Sequence, residues 1–160
     1  LSSMNSLKSW VSNFTPSGNG VGKVIASLPK LQALFLNNDG LSDEDVKIIT
    51  SIKSLTELNF SGSQITNDDM VAIGKMKGLK ILSIVNCKNV TAAGLAHLSE
   101  LKELVHIDLT ESAVDGSGLK YLIPLASLKS LELTASQIKD RSTLRDFARA
   151  RPDCRIRMAD

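Results

Sequence analysis

Apolar residues recur along this chain on two alternating rhythms. In "LQALFL" (31–36), "LTELNF" (55–60), "LKILSI" (79–84), "LVHIDL" (104–109) and "LKSLEL" (128–133) they alternate with polar ones, the period-two pattern of a half-buried strand. Between these stretches the spacing becomes that of one helix face: Val46, Ile49 and Ile52; Met70, Ile73 and Met76; Leu95, Leu98 and Leu101; Leu119, Leu122 and Leu125. The opening leucines, Leu31, Leu55, Leu79, Leu104 and Leu128, stand 24, 24, 25 and 24 residues apart, with the extra residue in "NCKNVT" between Cys87 and Val90. One strand and one helix per period predicts five repeated units over residues 31–151.

The polar punctuation agrees. A short side chain follows eight positions after each opening leucine, at Asp39, Ser63, Cys87, Ser112 and Ser136. A side chain buried where strand turns to helix must hydrogen-bond the backbone. Cysteine is the weaker partner, so Cys87 is read as packing. Helix N-caps are expected at Ser42, Thr66, Thr91 and Asp115, and Asp45 and Asp69 complete capping boxes for the first two. A unit of ~24 residues cannot bury a core by itself, so the units must stack.

The two ends differ. Met4, Leu7, Val11 and Phe14 share a helical face beside Trp10, which predicts a capping helix over residues 3–14, then a loop at "TPSGNG". Ile25 and Leu28 fall in register with the later helices. Residues 1–30 are thus expected to form an N-terminal helical cap. Residues 152–160, with Cys154, Ile156 and Met158 on one side, form a C-terminal cap strand. The whole of 1–160 reads as a single domain. Cys87 and Cys154 lie three units apart, about 14 Å at the usual strand spacing, too far for a disulfide.

The five in-phase copies of LxxLxL resemble a leucine-rich repeat protein. The resemblance implies an α/β fold: a right-handed βα superhelix with a parallel sheet on the concave face and helices on the convex face. Asp, Ser or Cys where the family usually has Asn, together with "GLAHLSEL" (94–101), resembles the cysteine-containing and bacterial subtypes. It also implies a non-catalytic protein-interaction role, as in a ubiquitin-ligase recruiting subunit or a bacterial effector or surface protein. No F-box-like segment precedes the repeats.

Composition then narrows the picture. No apolar run reaches the ~18 residues of a membrane span, and "LSSMNSLKSW" lacks a basic-then-apolar leader. The chain does not begin with Met, as expected of a fragment or processed form. Without a disulfide framework a cytoplasmic setting is favoured, with a secreted protein or bacterial effector as the alternative. Net charge is only +2, but all six arginines (Arg141, Arg145, Arg149, Arg151, Arg155 and Arg157) lie near the C-terminus. Arg141, Arg145 and Arg149 recur every four residues as the polar face of a terminal helix. Anion or nucleic-acid contact there is the alternative. Interleaved Asp140, Asp146 and Asp153 and the lack of stacking aromatics count against nucleic acid.

Stacked strands would bring outward side chains into columns: Phe35, Asn59, Ser83, Asp108 and Glu132 centrally, flanked by Ala33, Glu57, Ile81, His106 and Ser130, and by Asn37, Ser61, Val85, Thr110 and Thr134. We assign partner binding to Phe35, Glu57, Asn59, Ile81, Ser83, Val85, His106, Asp108 and Glu132. The acidic neighbours Asp108 and Glu132, with Glu111 close by, favour a basic protein partner. A structural spacer within a longer protein is the alternative. An open sheet offers no oxyanion site for a His106, Asp108 and Ser83 or Ser130 triad, and no cleft for an Asp108–Glu132 couple. "GNGVGK" follows no strand, and two unphased histidines give no metal spacing. The expectation is a monomeric, non-catalytic module with no cofactor, metal or small-molecule substrate.

Overall fold

The computed structural model describes residues 6–13, 20–37 and 40–160. Seven parallel strands form one sheet in chain order: β1 (Ser9–Ser12), β2 (Ala33–Leu36), β3 (Glu57–Asn59), β4 (Ile81–Ser83), β5 (His106–Asp108), β6 (Ser130–Thr134) and β7 (Arg155–Ala159). The returning segments are helical: α1 (Val21–Ala26), α2 (Asp43–Thr50), α3 (Asn67–Ile73), α4 (Ala92–Leu95) and α5 (Arg141–Ala150). Tighter 3-10 turns extend α4 at Ala96–Leu98 and replace the α-helix at Gly116–Tyr121, and a third, Ala135–Gln137, follows β6 ahead of α5. Close packing accompanies this tightening: a Cβ on Gly118 would stand 3.0 Å from Leu95 Cδ1 and 3.2 Å from Ala92 Cα.

Register follows the leucine period. Ser9 pairs with Ala33, then Glu57, Ile81, His106, Ser130 and Arg155 in turn. Inward side chains of the strands, among them Leu34, Leu36, Leu58, Phe60, Leu82, Ile84, Ile107 and Leu131, are wholly buried against Ile25, Ile49, Met70, Ile73, Leu95, Leu98 and Leu122. Each such leucine truncated to alanine would cost roughly 2–5 kcal/mol.

The expected helix over 3–14 is not formed where the chain is described: Ser9–Ser12 is a strand. Residues 3–5 and 14, Thr15–Asn19 of the expected loop, and Asp39 lie outside the described residues. The reason for the strand is the period itself. Leu7 stands 24 residues before Leu31, and Trp10 takes the place of the second leucine. Lys8 O accepts from Gln32 N at 2.8 Å and Ala33 N at 3.0 Å, and Ser12 O accepts from Asn37 N at 2.9 Å. A helix there would leave the edge of β2 bare.

The turns after β3, β4 and β5 share recurring devices. Gly62, Asn86 and Glu111 occupy the same place in successive units, with φ of 73°, 56° and 59°. Their N–H groups donate onward, to Val85 O, Thr110 O and Thr134 Oγ1. The next residue turns inward. Ser63 Oγ donates to Leu36 O at 3.3 Å, and Cys87 Sγ donates to Phe60 O at 3.1 Å. Cys87 is therefore a hydrogen-bonding turn residue as well as packing, and burial pushes its thiol up to about 11. Ser136 does not fill this role. It is exposed, and the buried Gln137 donates instead to Leu109 O (3.1 Å) and Val114 O (2.9 Å), while Thr134 N donates to its Oε1. Its longer amide reaches two carbonyls of the preceding unit at once, where Ser63 reaches one.

The expected N-caps are in place. Asp45 N donates to Ser42 Oγ, and Asp69 Oδ2 accepts from Thr66 N at 2.9 Å. Thr91 and Asp115 cap through Ala93 N and Ser117 N, and Asp140, not among the expected caps, does so through Ser142 N. Asp45 also ties neighbouring units, accepting from Gly22 N at 2.9 Å. Both cysteines are free thiols.

Candidate protein-binding face

The outward residues of β1–β7 are held in place by their inward neighbours: because each strand buries alternate side chains, the rest must face away from the helices. The register puts Val11, Phe35, Asn59, Ser83, Asp108, Glu132 and Arg157 in one continuous column. Ser9, Ala33, Glu57, Ile81, His106, Ser130 and Arg155 form the column beside it. Phe35, Glu57, Asn59, Ile81, Ser83, Val85, His106, Asp108 and Glu132 are all half-buried on this face. One end is apolar, with Val11 61% exposed beside Phe35. The other end is charged.

Several polar groups on this face already have partners. Asn59 Oδ1 accepts from Ser61 N at 2.8 Å, and Asp108 Oδ1 accepts from Thr110 N at 3.0 Å, closing the strand end in the same way two units apart. Ser83 Oγ lies 3.1 Å from Ser61 Oγ, so that hydroxyl faces another hydroxyl and not an imidazole. Glu132 Oε1 accepts from Arg157 Nη1 at 3.1 Å. The charged end is therefore mixed. Arg155 and Arg157 extend the two columns past the acids, a feature signalled only by the alternation of "CRIRM" once that segment is read as a further unit.

The arginine cluster divides likewise. Arg141, Arg145 and Arg149 are exposed along α5. Arg151 is 7% exposed, so it leaves the surface group. Its guanidinium donates to Leu125 O, to Ala126 O at 3.1 Å and to Leu128 O at 2.9 Å. Among the described residues no group of three or more metal-ligating side chains converges, and no helix is long and apolar enough to cross a membrane.

Comparison with solved structures decides the architecture. An internalin of Listeria monocytogenes superposes over 97% of this chain and 48% of its own with a TM-score of 0.61 at 21% identity. A chain of the yeast Rad7–Elc1 complex superposes over 96% of this chain and 50% of its own with a TM-score of 0.63 at 13% identity. The fold is a leucine-rich-repeat solenoid. No protein-family model matches the chain. A putative adenylate cyclase regulatory protein of Trypanosoma equiperdum is 37% identical over 107 residues, 65% of this chain and 16% of the relative. A putative RNA-binding protein of Caenorhabditis elegans is 30% identical over 94 residues, 56% of this chain and 13% of the relative. The chain thus spans less than a fifth of these curated relatives and about half of the solved chains.

Proposed function

We propose that this leucine-rich-repeat solenoid is a non-catalytic interaction module that binds a protein through its concave strand face. The acidic end, Asp108, Glu132 and Glu111, meets a basic surface of the partner, and Phe35, Ile81 and Val85 supply apolar contact. The observation that carries this reading is Glu111. It occupies the left-handed position that its two predecessors fill with Gly62 and Asn86. A β-carbon there costs about 1 kcal/mol that asparagine partly avoids and glycine wholly avoids. Strain kept at an exposed carboxylate beside two others favours a binding role. The likeness to a chain solved in complex with Elc1, and to a protein named as a regulator, favours a protein partner. Within this reading the chain acts as one monomeric domain, of the subtype marked by Cys87, in a reducing compartment.

A quantitative pull-down from lysate of the source cells tests it, comparing the unmodified chain with an Asp108→Lys, Glu132→Lys variant whose circular dichroism and melting are unchanged. A protein retained by the first and lost by the second supports the concave site. An identical catch from both removes the acidic-face reading and leaves a structural spacer.

A further inference from the structure

The solenoid's charge is unevenly spread at the ends of its helices. From Met70 to Ser99, and again from Val46 to Thr56, the chain contains no acidic residue. Lys47, Lys53, Lys75 and Lys77 lie in these stretches, all exposed. They converge on two adjoining grooves where α2 and α3 end. One, of about 280 Å³, is lined by Lys47, Thr50, Ser51, Lys53, Ala72 and Lys75. The other shares Thr50, Lys53 and Lys75 with it and continues past Ile52 and Met76 to Lys77.

Among the described residues these ammonium groups have no ion-pair partner. Elsewhere lysines find partners: Lys88 donates to Glu111 O, Lys102 to Ser99 O, and Lys129 pairs with Asp153 at 2.5 Å. Among the described residues the side chains of Lys47, Lys53, Lys75 and Lys77 enter no ion pair and donate no hydrogen bond. The carbonyls that could have received them at the end of α2 are taken. Thr50 Oγ1 donates to Val46 O at 2.8 Å, and Ser51 Oγ donates to Ile48 O at 2.6 Å. Four like charges thus share a groove with no ion pair among the described residues, and a bound anion would relieve their repulsion.

We propose that this lysine-lined groove is a second docking site, on the helix side of the solenoid, for an acidic stretch of a partner protein. Charge complementarity gives the sign, and the floor gives the class. Ile52, Met76 and Ala72 provide apolar contact between the lysines, which suits the methylenes of glutamate side chains. Nothing there stacks a base: no aromatic or arginine lines either groove. Asp43, Glu44 and Asp68 stand at the opposite ends of the same two helices, about 12 Å away. A short peptide avoids them, whereas an extended nucleic acid would run into their repulsion.

The test is fluorescence polarisation with a labelled peptide alternating glutamate and serine, and a labelled single-stranded RNA as the competing class. Binding of the peptide should weaken about tenfold in Lys53→Glu, Lys75→Glu and fall steeply with added salt. Lys102→Glu, on the same edge but already partnered, should change it less than about twofold. Neither the Asp108→Lys, Glu132→Lys variant nor any failure of the concave site should weaken it. Equal weakening by Lys102→Glu, no measurable peptide binding, or tighter binding of the RNA through the same lysines would overturn the proposal.

Discussion

The two ends of the solenoid close the same stack by different means. At the N-terminal end β1 pairs with β2 and leaves Val11 61% exposed, and in α1 the backbone of Gly22 donates to Asp45 of the next unit. At the C-terminal end, α5 lays Phe147 over the core with no exposed surface, and two buried polar side chains complete the closure. Gln137 gathers Leu109 O and Val114 O, and Arg151 gathers Leu125 O, Ala126 O and Leu128 O. These are buried carbonyls of the preceding unit, and each needs a donor. A long side chain from the cap must then supply the donors. Both ends carry a paired edge strand, and the C-terminal end adds buried polar side chains that satisfy the carbonyls beneath it.

The largest test of that contrast is Arg151→Met. It keeps the bulk but orphans several buried carbonyls and leaves Asp153 with only Lys129. Unfolding free energy from urea titration should fall by about 3 kcal/mol. Val11→Ser at the opposite end should stay within about 0.5 kcal/mol. If the two variants cost the same, the ends are equivalent and the buried network adds nothing.

The sequence made the middle of this molecule plain and its ends obscure, for a physical reason. Stacked inner units face identical neighbours, so Leu58, Leu82 and Ile107 must be alike and a 24-residue period appears. End units face solvent on one side. Trp10 and Ser12 stand where the inner units have leucine or another buried apolar residue, and the remaining apolar spacing imitates a helix face. Gln137 and Arg151 look like surface residues in composition, yet each is buried because it donates to carbonyls of the preceding unit. The columns of the candidate face followed from register alone. Their local chemistry did not, because the Asp108 turn, the Ser61–Ser83 contact and the Glu132–Arg157 pair depend on neighbours brought in by folding.

A middle-sized effect is expected on the N-terminal side, at Asp45. Burial alone would raise its pKa. The Ser42 hydroxyl, the N–H groups of Gly22 and Ser42, and nearby Lys23 outweigh that and hold the carboxyl below the usual carboxylate range. A folded pKa below the unfolded one stabilises the fold above about pH 4, and this contribution is lost as pH falls through the folded value. Asp45→Ala should therefore cost about 1–2 kcal/mol at neutral pH, and the gap to the unmodified chain should narrow in acid. Melting curves across that range check it. A gap independent of pH would assign Asp45 a packing role only.

The smallest effect on stability belongs to Arg157, and it bears most directly on the concave face. Its pair with Glu132 is largely exposed at the guanidinium, so Arg157→Ala should change the melting free energy by less than about 1 kcal/mol. The same substitution removes the cation paired with Glu132. Glu132 then joins Asp108 and Glu111 with its own carboxylate unpaired, and capture of a basic partner should rise, most visibly at low salt where screening is weak. Partner capture that instead falls in Arg157→Ala would make the arginine itself part of the contact. The C-terminal cap would then belong to the binding surface, and the end closed by polar groups would be the end that selects the partner.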